Sequence, residues 1–116
     1  MSGRLTTHVL DTMRGQPAAG LRIALFRIDG HHREPLVDAQ TNADGRLDGP
    51  LLEGPDLRSG TYELVFEVGA YFRSQDPALT PFLDQVPVRF TVASPDQHYH
   101  VPLLVAPFGY TTYRGS

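Results

Sequence analysis

Five histidines, an arginine closing a tight turn and an aromatic, basic C-terminus are the residues of this sequence best suited to chemistry. Imidazole exchanges protons near neutrality, its unperturbed pKa being about 6.5, so His8 and His100 are candidate general bases. In the run His98-Tyr99-His100-Val101-Pro102-Leu103-Leu104, period-2 alternation puts Tyr99, Val101, Leu103 and Val105 on one face of a strand and both histidines on the other. His8 shares a face with Thr6 and Leu10, opposite Leu5, Thr7 and Val9. These imidazoles therefore point away from the apolar face, where a histidine stays solvated and idle unless something covers it and excludes water. In a small protein the simplest cover is another subunit. His98 and His100 at i and i+2 could begin a metal site, but no third ligand is in view and none is expected. His31-His32, beside Gly30, reads as an exposed hairpin turn.

Arg46 follows Asn42-Ala43-Asp44-Gly45, a turn by its residue types. A single Arg after a turn is by default a solvated loop residue. Its alternative is a planar fork of fixed charge offered to a carbonyl or anionic substrate. Chain ends are generally polar and frayed, whereas Gly109-Tyr110-Thr111-Thr112-Tyr113-Arg114-Gly115-Ser116 reads as ordered, if only as an edge strand.

The elements that would position these groups are short. Ten Pro and eleven Gly interrupt the chain too often for long helices and suit strands joined by turns. Strands are expected at Arg4 to Leu10, Leu21 to Ile28, Glu34 to Gln40, Thr61 to Val68, Val86 to Val92, His98 to Ala106 and Gly109 to Arg114. Tyr62, Leu64, Phe66, Val88, Phe90, Val101 and Leu103 are the expected core. Pro87 marks a strand start or an unpaired edge. A short helix is expected around Gly69 to Ser74. Seven or eight short strands predict an all-β, two-sheet sandwich, with a closed barrel as the alternative.

The 116 residues form a single expected domain, 1–116. The absence of cysteine and lysine excludes disulfides, thiolate chemistry, Schiff bases and a phosphate-loop lysine. A net charge of -3 with scattered arginines gives no reason to expect nucleic acid or an anionic membrane. No run approaches the roughly 18 apolar residues of a membrane span. The opening MSGRLTTHVLDT lacks a secretory apolar core, which favours the cytoplasm.

The segments Leu5-Thr6-Thr7-His8-Val9-Leu10-Asp11, Thr41-Asn42-Ala43-Asp44-Gly45-Arg46 and His98 to Leu104 closely resemble motifs of the transthyretin-like 5-hydroxyisourate hydrolases. The terminal Tyr113-Arg114-Gly115-Ser116 is similar to that family's signature tetrapeptide. Ala106 and Thr111 stand where many members have Ser, which leaves the chemistry untouched. The resemblance, spread from residue 5 to residue 116, implies a transthyretin-like sandwich of two four-stranded sheets with one short helix. It also implies a homotetramer, a dimer of dimers, with sites in the channel where dimers meet.

The implied reaction opens the N1–C6 bond of 5-hydroxyisourate, giving 2-oxo-4-hydroxy-4-carboxy-5-ureidoimidazoline, without metal or other cofactor. Carried over by position, His8, Arg46, His100 and Ser116 are the implied catalytic residues. Tyr113, Arg114 and Gly115 join them in binding the purine-derived substrate. Attack of water on the lactam carbonyl needs a base, charge stabilisation for the oxyanion and a proton for the departing nitrogen. One of His8 and His100 would activate water and the other would orient substrate or deliver the proton. Arg46 would stabilise developing charge, and Ser116 would belong to the polar wall instead of acting as a nucleophile. The rival is a non-enzymatic small-molecule carrier using the same channel, which would need apolar walls. A monomeric adhesion or regulatory sandwich would leave these polar sites without a role.

Overall fold

The structure, a computed structural model, describes residues 2–116. Among them nine strands and one α-helix follow in the order β1 (Arg4–Asp11), β2 (Gln16–Pro17), β3 (Arg22–Asp29), β4 (His32–Gln40), β5 (Leu52–Glu53), β6 (Gly60–Phe66), α1 (Val68–Gln75), β7 (Val86–Val92), β8 (His98–Ala106) and β9 (Gly109–Thr112). One sheet has the order β2-β1-β8-β9, with β5 also on β1, and the other runs β4-β3-β6-β7. The first therefore has five members where four were expected, because two-residue fragments share the outer edge of β1. Neighbours are antiparallel except β1 and β8, which run parallel with Thr6 opposite His100 and His8 opposite Pro102.

Alternation along β1 buries Leu5, Thr7, Val9 and Asp11, and along β8 it buries Tyr99, Val101, Leu103 and Val105. They meet Ile23, Leu25, Tyr62, Leu64, Phe66, Val86 and Val92 of the other sheet. Each fully buried aliphatic or Phe side chain contributes about 1.5–3 kcal/mol by leaving water. Val88 and Phe90, expected in the core, are only half-buried at its margin, since β7 is the end strand of its sheet. Pro87 accordingly lies on an edge strand, at its second position. On central β6 burial reaches both faces. Outward-facing Glu63 is covered by Arg33 and Arg89 from other strands of that sheet, at 3.2 and 3.1 Å.

Val68 opens α1 and does not close β6, so the strand ends at Phe66. Val68, Tyr71 and Phe72, at i, i+3 and i+4, form the buried helix face. The helix stops at Gln75 because Asp76 precedes Pro77 and is steered out of helical geometry. Buried Asp11 accepts hydrogen bonds from the Tyr71 hydroxyl at 2.8 Å and the Arg14 amide at 3.1 Å, tying α1 to β1. Burial, then Asp11, pushes the Tyr71 phenol up to about 12. The β1–β8 pair is thereby locked from inside, where the Thr7 hydroxyl also donates to the Val101 carbonyl at 2.7 Å.

Candidate active site

The parallel pairing brings the two strongest histidine candidates onto one surface. With Thr6 opposite His100 and His8 opposite Pro102, the outward set on β1 lies beside the outward set on β8. Two isolated bridges extend this row to both sides. Arg46 pairs with His8 on the far side of β1, and Gly115 pairs with His100 on the far side of β8. Across the outer face the order is therefore Arg46, His8, His100, Gly115.

Arg46 is held by its turn. The Asn42 side-chain oxygen accepts from the amides of Asp44 and Arg46 at 2.9 and 3.2 Å, and the Asn42 amide donates to the Arg46 carbonyl at 2.8 Å. Gly45 has φ +72°, and its carbonyl accepts from the Val9 amide at 2.9 Å. A Cβ there would stand 2.4 Å from the Val9 carbonyl oxygen, so the turn can lie flush against β1 only with glycine at that position.

The C-terminal segment returns to β8 after β9 ends at Thr112, two residues short of the expected Arg114. The Gly115 amide donates to the His100 carbonyl at 2.7 Å. Arg114 anchors this return. Its guanidinium donates to the Gln97 side chain and the His98 carbonyl at 3.1 and 3.2 Å and lies 4.2 Å from the Tyr99 ring centre. A Cβ on Gly115 would come within 2.5 Å of His100 Cδ2, so the imidazole lies directly against the backbone.

A polar cleft of about 430 Å³ opens on this face, lined by Arg4, Thr6, Arg46, His98, His100 and Ser116 among others. Beyond the C-terminal segment an apolar cleft of about 340 Å³ is lined by Val88, Phe90, Tyr99, Val101, Tyr113 and Arg114, and His100 borders both. His8 sits outside the polar lining, next to Arg46. Tyr113 is exposed, as is the His31-His32 pair at the β3–β4 turn. Among the described residues no three His, Asp or Glu side chains gather as a metal site. Arg4 and Thr6 are cleft residues that sequence reasoning did not single out. The shared outward parity of Thr6 with His8 was the available signal.

Burial, then the Arg46 charge, lowers the His8 pKa, while a backbone hydrogen bond to Asp44 and the Asp44 carboxylate pull it back. Burial also leads in lowering His100, followed by Arg46, His8 and His98. Both rings thus hold their neutral, proton-accepting form below the ordinary histidine value of about 6.5. The acid limb of kcat/KM for chemistry at this site is expected below that pH, and a limb above it in a corrected pH–rate profile would contradict the assignment. Stability follows the same sign. The unfolded chain takes up protons at these positions first, so their stabilising contribution is complete above about pH 6.5 and is lost as pH falls toward the lowered folded values.

Residues 5–115 match the model of the HIUase/Transthyretin family. The chain is 58% identical over 120 residues to 5-hydroxyisourate hydrolase 2 of Rhizobium meliloti, covering 99% of this chain and 98% of that protein. It is 55% identical to the 5-hydroxyisourate hydrolase of Deinococcus radiodurans, with both chains covered in full. Among solved structures, the 5-hydroxyisourate hydrolase of Klebsiella pneumoniae superposes with a TM-score of 0.83 at 36% identity over the whole of both chains. An (S)-allantoin synthase superposes with a TM-score of 0.92 at 46% identity over 99% of this chain, which spans 44% of that longer one.

Proposed function

This chain belongs to the HIUase/Transthyretin family, and we propose that it is an enzyme that hydrolyses 5-hydroxyisourate. The whole of residues 1–116 acts as one transthyretin-like domain. The observation that carries the reading is the row Arg46, His8, His100, Gly115 across one outer sheet face, drawn together from four separate stretches of sequence. Hydrolysis of a cyclic amide needs what this row offers: an imidazole to take a proton from water, a second to contact substrate, and a guanidinium beside them for developing negative charge. Ser116 in the polar lining and Tyr113 at the edge of the apolar one complete the wall, with Arg114 as the anchor that keeps them there. A carrier would want apolar surface where this face presents imidazole and guanidinium.

A homotetramer in the cytoplasm is part of the proposal. The row faces outward and needs a cover, and Tyr113, which lines the cleft that His100 borders, is 58% exposed, an aromatic surface suited to burial against another subunit. Active sites then lie where subunits meet and water is excluded.

The direct test is an ultraviolet assay on freshly generated 5-hydroxyisourate, following its loss against the spontaneous rate. Clear acceleration is expected, and it should persist after treatment with a strong chelator, because His and Arg supply the base and the charge. No acceleration leaves the carrier reading ahead. A loss restored specifically by zinc overturns the metal-free mechanism.

A further inference from the structure

The polar cleft contains a side-chain chain of fixed direction. Arg4 Nε lies 3.3 Å from His98 Nδ1, His98 Nε2 lies 3.5 Å from Thr6 Oγ1, and Thr6 Oγ1 lies 2.8 Å from His100 Nδ1. A guanidinium has hydrogens to give and no acceptor. Arg4 therefore donates, His98 Nδ1 accepts, and the neutral His98 ring carries its hydrogen on Nε2. That hydrogen is directed at the Thr6 oxygen, which leaves the Thr6 hydroxyl hydrogen for His100 Nδ1. With Nδ1 accepting, neutral His100 carries its hydrogen on Nε2. Gly115 packs its backbone against the Cδ2 edge of the same ring, where a Cβ would come within 2.5 Å. We propose that Arg4, His98 and Thr6 are positioning residues that hold His100 as the Nε2–H tautomer, making His100 the hydrogen-bond donor to the substrate carbonyl and His8 the base.

This rests on the hydrolase reading and divides its labour. A neutral imidazole with hydrogen on Nε2 is a poor proton acceptor at that atom and a good donor to an oxygen gaining charge. His8 takes no part in this chain: it stands one strand away, on the outward face of β1 and bridged to Arg46, which leaves its imidazole as the ring available to accept a proton. In the balanced step the oxygen of water bonds to C6 as one of its protons passes to His8. The oxyanion is held by His100 Nε2–H and Arg46. When the N1–C6 bond breaks, N1 takes the proton from His8, which returns to neutral, and the remaining water proton dissociates from the new carboxylic acid. His100 hydrogen-bonds throughout and transfers nothing, so no imidazolate is formed.

The test reads the tautomer directly. Side-chain 15N spectra of the intact protein, with the His100 signals identified by their absence in His100→Gln, should show protonated Nε2 and unprotonated Nδ1. A dominant Nδ1–H form overturns the proposal. Thr6→Val, nearly the same shape without the hydroxyl, should yield a tautomer mixture and a fall in kcat of roughly 10- to 100-fold, the usual cost of losing the partner that orients a functional imidazole. KM should change little, and Thr6→Ser should restore both rate and spectrum. His98→Phe, which interrupts the chain one step earlier, should shift the tautomer in the same sense and serves if Thr6→Val fails to fold. Wild-type spectra and rates in both Thr6→Val and His98→Phe overturn the chain. A wild-type protein inert toward 5-hydroxyisourate sinks the hydrolase reading alone, because the spectra still report whether the tautomer is held.

Discussion

Replacing His8 or His100 by Asn is expected to lower kcat by roughly 10² to 10⁴, the scale on which positioned acid–base and charge-stabilising groups act. Both rings stand on the outer face of a sheet whose inner face carries the packing, so neither change opens a cavity in the core. Thermal unfolding should shift little in either variant, and the loss should appear in turnover on fresh 5-hydroxyisourate after subtraction of spontaneous decay. The two variants should also differ from each other. Without His8 nothing accepts the water proton, so added imidazole or raised pH should recover part of the rate. Without His100 the base remains, and external imidazole should recover less. His31→Asn is the control, an exposed ring on the β3–β4 turn of the other sheet, and should retain wild-type rates. Equal losses in all three would mean that the row has been misplaced.

Alternation made much of this legible. The period of two along β1 and β8 separated His8, His98 and His100 from Leu5, Val9, Tyr99, Val101 and Leu103, and burial in the structure divides them the same way. Turn chemistry located Arg46, because Asn, Asp and Gly act on the backbone within a few residues. What could not be read was which strands adjoin. The parallel pairing of β1 with β8 joins residues 94 apart, and it alone puts Thr6 beside both His98 and His100. Without it Thr6 is merely a polar residue on an outward face, and Arg4 a solvated strand end. The same limit explains Val88 and Phe90. Their alternation assigns a face correctly, but burial depends on a strand's place in its sheet, and β7 lies at the edge. Gly115 is the opposite case. Its position in the sequence resembled a signature, and only the His100 ring packed against it gives a physical reason for glycine.

Removal of Tyr113 to Ser116 separates a terminal strand that merely finishes an edge from one that builds a site. The deletion removes the hydrogen bond that the Gly115 amide donates to the His100 carbonyl, the two Arg114 contacts to Gln97 and His98, and the stacking of Arg114 on Tyr99. These are largely exposed interactions, together worth about 1 to 3 kcal/mol, and the core of Tyr62, Leu64, Phe66, Val101 and Leu103 lies beneath them untouched. The truncated protein should fold with a modestly lower Tm. If the segment only completed an edge, catalysis would fall in proportion to that loss. It also supplies Ser116 to the polar cleft and holds the His100 ring in place, so kcat/KM is expected to fall by at least about 10², comparable to losing one well-placed transition-state donor. Gly115→Ala isolates the second of these effects. Its methyl would lie 2.5 Å from His100 Cδ2, so the contact between the imidazole and the terminal backbone must open while every other residue of the segment stays present. A loss of turnover nearly as large as in the truncation, with Tm close to wild type, would assign the effect to the placement of His100. Wild-type rates in both proteins would remove the segment from the site and with it the orientation of His100 on which the division of labour between the two histidines depends.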